Sequence, residues 1–143
     1  MGIDINPLSI QEGNKLLIKD GISNVKLICG KADELHQFRN KSFDIVFTDA
    51  LLMYIGPDKI KKVISEMFRI TRRALIFVEW HCEHQNIDPY GLGIYYFDYW
   101  KRSYIDLLKQ FISKERIRLT KIPKGIWPVK DWQELGYLIE VII

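Results

Sequence analysis

Two continuous apolar segments, separated by an amphipathic one, constrain the fold of this chain most. The first runs from Phe43 to Phe47, with a single acid at Asp44, and the second runs from Ala74 to Val78. Between them, apolar side chains recur at helical spacing, at Ile60, Val63, Ile64, Met67 and Phe68. Strands that are apolar on both faces and are joined by a helix are typical of a parallel sheet that is covered on both sides. The sequence therefore predicts an α/β fold with a doubly wound, mainly parallel sheet.

The N-terminal part adds a strand, a helix and a second strand. Residues 2–5, with the sequence GIDI, form a short strand candidate that places a carboxylate, Asp4, near its end. A helix is predicted to begin at Asn6 and Pro7, because Asn caps helices and Pro is tolerated in the first turn. Gly21 is a natural end for that helix. A second strand is predicted from Val25 to Cys29.

The C-terminal part departs from the alternation of strand and helix. A helix is predicted from about Asp98 to Phe111, with Trp100 and Tyr104 on its apolar face. Two strands follow, at about Arg116–Ile122 and Gly136–Ile143, and no helix is predicted between them. We therefore expect these two strands to form an antiparallel pair at the edge of the sheet.

Length and composition exclude several classes of protein. The 143 residues, of which 48% are hydrophobic and 13% aromatic, are enough for a folded core, and we expect residues 1–143 to form a single domain. The net charge of +3 is small and gives no reason to expect nucleic acid as a partner. No apolar run reaches the length of a membrane span, and Cys29 and Cys82 form no paired motif, so we expect no membrane partner and a cytoplasmic protein.

Acidic or hydroxyl side chains follow three of the predicted strands. Asp4 ends the first, Asp33 lies in the stretch GKADEL after the second, and Thr48 and Asp49 follow the third. Open α/β sheets bind their ligands at the carboxyl ends of parallel strands. These residues are therefore candidates for a ligand site.

Four segments occur in the order GIDINP, GKADEL, FDIVFTDALLMYI and ALIFVEWH. Together they resemble the class I S-adenosylmethionine-dependent methyltransferases, in particular the broad group that acts on small molecules. The late segment GYLIEVII is similar to the closing antiparallel strand of that family. The resemblance extends over nearly the whole chain and depends on the order and spacing of the motifs. It implies a Rossmann-like fold, S-adenosylmethionine as the cofactor and a small-molecule methyl acceptor.

The resemblance also implies roles for individual residues. Asp4, with Ile5 beside it, matches the position that holds the ribose hydroxyls. Asp33, with Ala32 beside it, matches the position that contacts adenine. Thr48 and Asp49 match the neighbourhood of the methionine moiety, whereas Met53 and Tyr54 are expected to pack in the core. No metal site is expected.

The stretch from Glu79 to His84, EWHCEH, allows more than one interpretation. Adjacent ligands on one loop seldom complete a zinc site, so we do not favour a metal. His81 is a candidate general base, and His84 is an alternative to it, because histidine titrates near neutral pH. A solvated polar loop explains the same residues. The aromatic residues between Tyr90 and Trp100 fit either an acceptor pocket or ordinary packing.

The family's first strand and its glycine-rich loop have no counterpart ahead of Gly2. We therefore expect the fold to be incomplete at its N-terminal end and cofactor binding by these residues alone to be weak or absent. Because the absent strand would lie centrally in the sheet, we also expect a homo-oligomer whose interface lies on or near Ile3 and the Phe43–Phe47 strand.

Two other classes of function remain open at this level. A non-catalytic Rossmann-like remnant would associate with itself and bind no cofactor. A nicotinamide-dependent dehydrogenase would use the same acid at the strand end to hold ribose, although the GKADEL and FDIVFTDA segments favour the methyltransferase.

Overall fold

A computed structural model describes residues 1–83 and 90–143 of the chain. These residues divide into two compact units, Met1–Gln37 and Phe38–Ile143. The expectation that residues 1–143 act as one domain stays a prediction. Within the described residues, no helix is both long and apolar enough to cross a membrane.

The Met1–Gln37 unit consists of two strands and the helix that connects them. Strand β1 (Gly2–Asp4) and strand β2 (Leu27–Cys29) pair in parallel, and helix α1 (Pro7–Lys19) lies between them in the chain. The predicted helix start is confirmed, because the Asn6 side chain accepts a hydrogen bond from Leu8 N at 2.9 Å. The predicted end is confirmed as well, since Gly21 has a φ of 66°, which favours glycine.

The Phe38–Ile143 unit contains a four-stranded mixed sheet. In chain order its elements are strand β3 (Phe43–Asp49), a 3-10 helix (Leu52–Tyr54), helix α2 (Ile60–Ile70), strand β4 (Thr71–Trp80), strand β5 (Ile94–Tyr96), strand β6 (Tyr99–Lys101), helix α3 (Tyr104–Leu108), a 3-10 helix (Lys114–Arg116), strand β7 (Ile117–Lys121), helix α4 (Lys130–Leu135) and strand β8 (Gly136–Ile142). The sheet order is β3-β4-β8-β7, with β3 and β4 parallel and the other neighbours antiparallel. The α/β class and the late antiparallel pair are therefore confirmed.

Helix α2 is the connection between the two parallel strands, as the apolar stripe predicts. Ile60, Val63 and Ile64 are fully buried on it. On β4, the alternate residues Leu75 and Phe77 are fully buried too. This pattern is that of a crossover helix packed against one face of its sheet.

The other face of β3 does not follow the expectation of burial on both sides. Ile45 and Phe47 point to the same face and are 55% and 70% exposed. Strand β3 is the outermost strand of the four-stranded sheet, with β4 as its neighbour. An outermost strand has fewer neighbours to cover its side chains, which explains the difference.

The predicted helix from Asp98 to Phe111 is wrong in its first half. Phe97 and Asp98 both have positive φ, 43° and 66°, and form the two-residue loop of a hairpin between β5 and β6. The helix begins only after Ser103, whose side chain accepts a hydrogen bond from Asp106 N. Helix α4, between β7 and β8, was not predicted.

Candidate functional site

In the Met1–Gln37 unit, Asp4 lies at the carboxyl end of β1. It is opposite Cys29 in the parallel register, and Gly30 N donates a hydrogen bond to the Asp4 carbonyl at 2.9 Å. The Asp4 side chain is exposed, and its Oδ1 accepts a hydrogen bond from Asn6 N at 2.7 Å. The carboxylate is thus oriented by the start of α1 and accessible to a ligand with hydroxyl donors.

The other candidate site residues of this unit follow the ends of β1 and β2 in the sequence. Ile5 directly follows β1 and is exposed, and its carbonyl accepts a hydrogen bond from the Cys29 thiol at 3.6 Å. Ala32 and Asp33 are half-buried in the connection that follows β2. Asp4 and Asp33 thus follow the carboxyl ends of two adjacent parallel strands, and the expectation that they face a common cleft stays a prediction.

In the Phe38–Ile143 unit, Thr48 and Asp49 lie at the carboxyl end of β3. Asp49 is exposed, whereas Thr48 is buried and directs its hydroxyl toward Glu79. The next residue, Ala50, has a φ of 50°, and its N–H donates to the Val78 carbonyl at 2.9 Å. A non-glycine residue in this conformation is strained and requires support from its surroundings.

Glu79, near the end of β4, supplies that support. It is fully buried, and its Oε1 accepts hydrogen bonds from Thr48 Oγ1 at 2.9 Å, Leu51 N at 3.0 Å and Leu52 N at 2.9 Å. Its Oε2 accepts from Met53 N at 3.2 Å. Burial raises the pKa of Glu79 to about 7, against the lowering effect of these hydrogen bonds.

Arg102 holds the same segment by donating hydrogen bonds to the carbonyl groups of that segment. The side chain is fully buried, and its Nη1 donates to the Leu52 carbonyl at 2.6 Å. Its Nη2 donates to the Ile55 carbonyl, and its Nε donates to the Leu92 carbonyl at 2.7 Å. The segment after β3 is therefore bound by a carboxyl group through its N–H groups and by a guanidinium through its carbonyls.

His81 directly follows β4 and is buried. Its Nδ1 accepts a hydrogen bond from Tyr104 N at 3.1 Å, so the neutral ring carries its proton on Nε2. Burial lowers the pKa of His81. The ring borders a cleft of about 550 Å³, lined by His81, Glu83, Ser103, Ile105, Lys114, Ile117 and Leu119. His84, the alternative base, lies outside the described residues.

An aromatic cluster occupies the same end of β4. Met53, Trp80, Ile122 and Trp132 are buried together, and Tyr96, Tyr99 and Trp127 are among the residues packed against them. The expected core position of Met53 is confirmed, whereas Tyr54 is 61% exposed and the expectation for it is wrong. Packing thus explains Tyr96 and Tyr99.

Two residues of this region were missed as site residues in the sequence. Glu79 carried a signal, because it is an acid that directly follows a run of apolar residues in a strand. Arg102 carried none, since it lies in the segment wrongly predicted as the start of a helix. Within residues 1–83 and 90–143, no group of three or more His, Cys, Asp or Glu residues is placed to hold a metal.

Comparison with protein families gives a match for the first half of the chain. Residues 1–74 match the family described as a methyltransferase domain. The chain belongs to this methyltransferase domain family. A comparison with curated proteins gives no match.

Solved structures similar to this methyltransferase domain cover almost all of it. The PH0226 protein of Pyrococcus horikoshii OT3 has a TM-score of 0.67 at 17% identity, over 99% of this chain and 69% of its own. A SAM-dependent methyltransferase of Methanosarcina mazei has a TM-score of 0.65 at 16% identity, over 99% and 80%. The magnesium protoporphyrin IX methyltransferase of Synechocystis PCC 6803, solved with bound SAM, has a TM-score of 0.63 at 11% identity, over 99% and 57%.

The resemblance seen in the sequence is thereby confirmed. The methyltransferase domain has the Rossmann-like fold of the class I S-adenosylmethionine-dependent methyltransferases, and S-adenosylmethionine is the cofactor of this family.

Proposed function

We propose that this chain transfers a methyl group from S-adenosylmethionine to a small-molecule acceptor, with Asp4 as the ribose-binding residue. The observation that carries the proposal is the exposed Asp4 carboxylate at the end of β1, in parallel register with β2 and within the residues that match the family. When bound, the cofactor supplies an electrophilic methyl group on a sulfonium.

The proposed roles of the remaining residues are those that the family resemblance implies for them. Asp33, with Ala32, contacts the adenine, and Ile5 lies beside the ribose next to Asp4. Asp49, exposed at the end of β3, contacts the methionine moiety. Thr48 acts indirectly, since its hydroxyl already donates to Glu79. Reactions of this kind depend mainly on holding the two reactants in line, and these residues contribute by orienting the cofactor.

His81 is proposed as the base for acceptors that must lose a proton. The lowered pKa keeps the ring neutral, as a base requires. Its Nδ1, however, accepts the hydrogen bond from Tyr104 N, so proton uptake at this atom requires that bond to break. Acceptors that are already nucleophilic need no such step, and the proposal favours them. A cytoplasmic location stays a prediction.

Calorimetric titration with S-adenosylhomocysteine tests the proposed cofactor site. The variant Asp4→Asn keeps an oxygen for Asn6 N and removes the charge that ribose hydroxyls prefer. We expect binding to weaken by about tenfold or more, as for hydrogen bonds to a charged group. Asp20→Asn, at the C-terminal end of α1, is the matched control and should leave the affinity unchanged. Equal affinity of wild type and Asp4→Asn, or no binding by wild type, would contradict the proposal.

A further inference from the structure

We propose that Glu79 is a positioning residue for the cofactor site: the hydrogen bonds that its two carboxyl oxygens accept hold the segment from Asp49 to Met53. The proposal rests on the proposed function only where it concerns the cofactor, because the hold on the segment is a property of the Phe38–Ile143 unit alone.

The hydrogen bonds of Glu79 converge on one short piece of backbone. Its two oxygens accept from the N–H groups of Leu51, Leu52 and Met53, which belong to the turn and 3-10 helix after β3. These groups are at the start of a helical turn, where backbone N–H groups lack intrahelical partners. The Glu79 side chain therefore replaces the partners that this turn lacks.

The segment that Glu79 holds carries both strain and a proposed ligand contact. Ala50, with its φ of 50°, lies between Asp49 and the three N–H groups. Thr48, on the other side of Asp49, donates its hydroxyl to the same Glu79 oxygen. Asp49 is therefore flanked on both sides by residues whose position depends on Glu79 or on the backbone it fixes.

Arg102 explains why loosening at Glu79 need not unfold the unit. It binds the Leu52 and Ile55 carbonyls independently of the carboxyl group. Loss of the N–H contacts thus leaves the segment attached on its carbonyl side. The expected result is a local opening rather than loss of the sheet.

Both oxygens of Glu79 act as acceptors, because each of these hydrogen bonds is donated by Thr48 or by a backbone N–H group. A side-chain amide has one oxygen and one NH₂ group, and it accepts only at the oxygen. Glu79→Gln therefore keeps the size of the side chain and removes one of the two acceptors.

Amide hydrogen exchange measured by NMR tests the hold without any ligand. The quantity to compare is the protection of the Leu51, Leu52 and Met53 amides relative to that of Phe77 and Ile139 in the central strands. In Glu79→Gln the ratio for Met53 should fall by about tenfold or more, because an amide NH₂ group would face its N–H.

Glu140→Gln is the matched control, since Glu140 lies on β8 and pairs with Arg118 away from this segment. It should reproduce the wild-type protection ratios. Equal protection of Met53 in wild type and Glu79→Gln, or an equal loss in Glu140→Gln, overturns the proposal.

Titration of wild type and Glu79→Gln with S-adenosylhomocysteine tests the connection to the cofactor. Weaker binding by the variant is expected, and equal affinity overturns the positioning role even if the exchange profile is as expected. Absence of binding by wild type contradicts the proposed function instead, while the exchange profile still decides whether Glu79 holds the segment.

Discussion

The buried His81 ring shows how one hydrogen bond limits what a residue can do. Its Nδ1 accepts from the backbone of Tyr104, at the first residue of α3, at 3.1 Å. This bond connects the end of β4 to the start of α3. The same atom would have to take up a proton if His81 acted as a base, so its structural and catalytic roles compete.

Two substitutions of His81 distinguish what its hydrogen bond contributes to the free energy of unfolding from what the volume of the ring contributes. His81→Leu leaves the Tyr104 N–H buried without an acceptor, and we expect it to reduce the free energy of unfolding by about 1–3 kcal/mol. His81→Asn retains an oxygen that can replace Nδ1, so its cost should be smaller. Urea denaturation of the two variants measures the difference. Equal losses would show that the hydrogen bond contributes little.

At this scale the sequence shows which acids follow strand ends, but it does not show which buried polar side chains hold the backbone. Position along the chain was enough to place Asp4 and Asp33 after the ends of β1 and β2, and their roles stay predictions. The importance of Glu79 and Arg102 depends on which backbone groups they reach. Most of those groups lie 26 to 50 residues away in the sequence, and only the fold brings them together.

Among the elements, periodicity predicted α2 well and failed at the β5–β6 hairpin. The stripe of α2 is regular over its whole length, so pattern and packing agree. In the segment before α3, aromatic residues at apparent helical spacing belong instead to two short strands. The turn at Phe97 and Asp98 has positive φ at both residues without a glycine, so the usual signal for this turn is missing.

Because α2 packs one face on the sheet, substitutions on its buried face and on its exposed face should affect the free energy of unfolding differently. Ile64→Ala removes a fully buried side chain and should lower the free energy of unfolding by about 2–4 kcal/mol. Lys62→Ala, two residues away on the exposed face, should change it by less than about 0.5 kcal/mol. Chemical denaturation monitored by tryptophan fluorescence gives both values. Similar effects at the two positions would contradict the packing of α2 on the sheet.

At the scale of the whole molecule, the outer edge of β3 within the four-stranded sheet is the feature that bears most on association between copies of the chain. Within the four-stranded sheet, β3 has β4 as its neighbour on one side, and its other edge is not paired in that sheet. Ile45 and Phe47 are exposed on one face of the same strand. Unpaired strand edges with apolar side chains favour pairing with another chain.

This edge leads to the prediction that the chain forms a homo-oligomer through β3. A second copy can pair its own β3 edge and cover Phe47 at the same time, which a symmetric dimer permits. Sedimentation velocity over a concentration series should show a dimer in wild type. Phe47→Lys places a charge in the contact and should shift the equilibrium toward monomer, whereas Ile126→Lys, at an exposed residue outside the sheet, should not. A wild type that stays monomeric, or a dimer unaffected by Phe47→Lys, would rule out this interface, because the strand edge and Phe47 are the two features on which it depends.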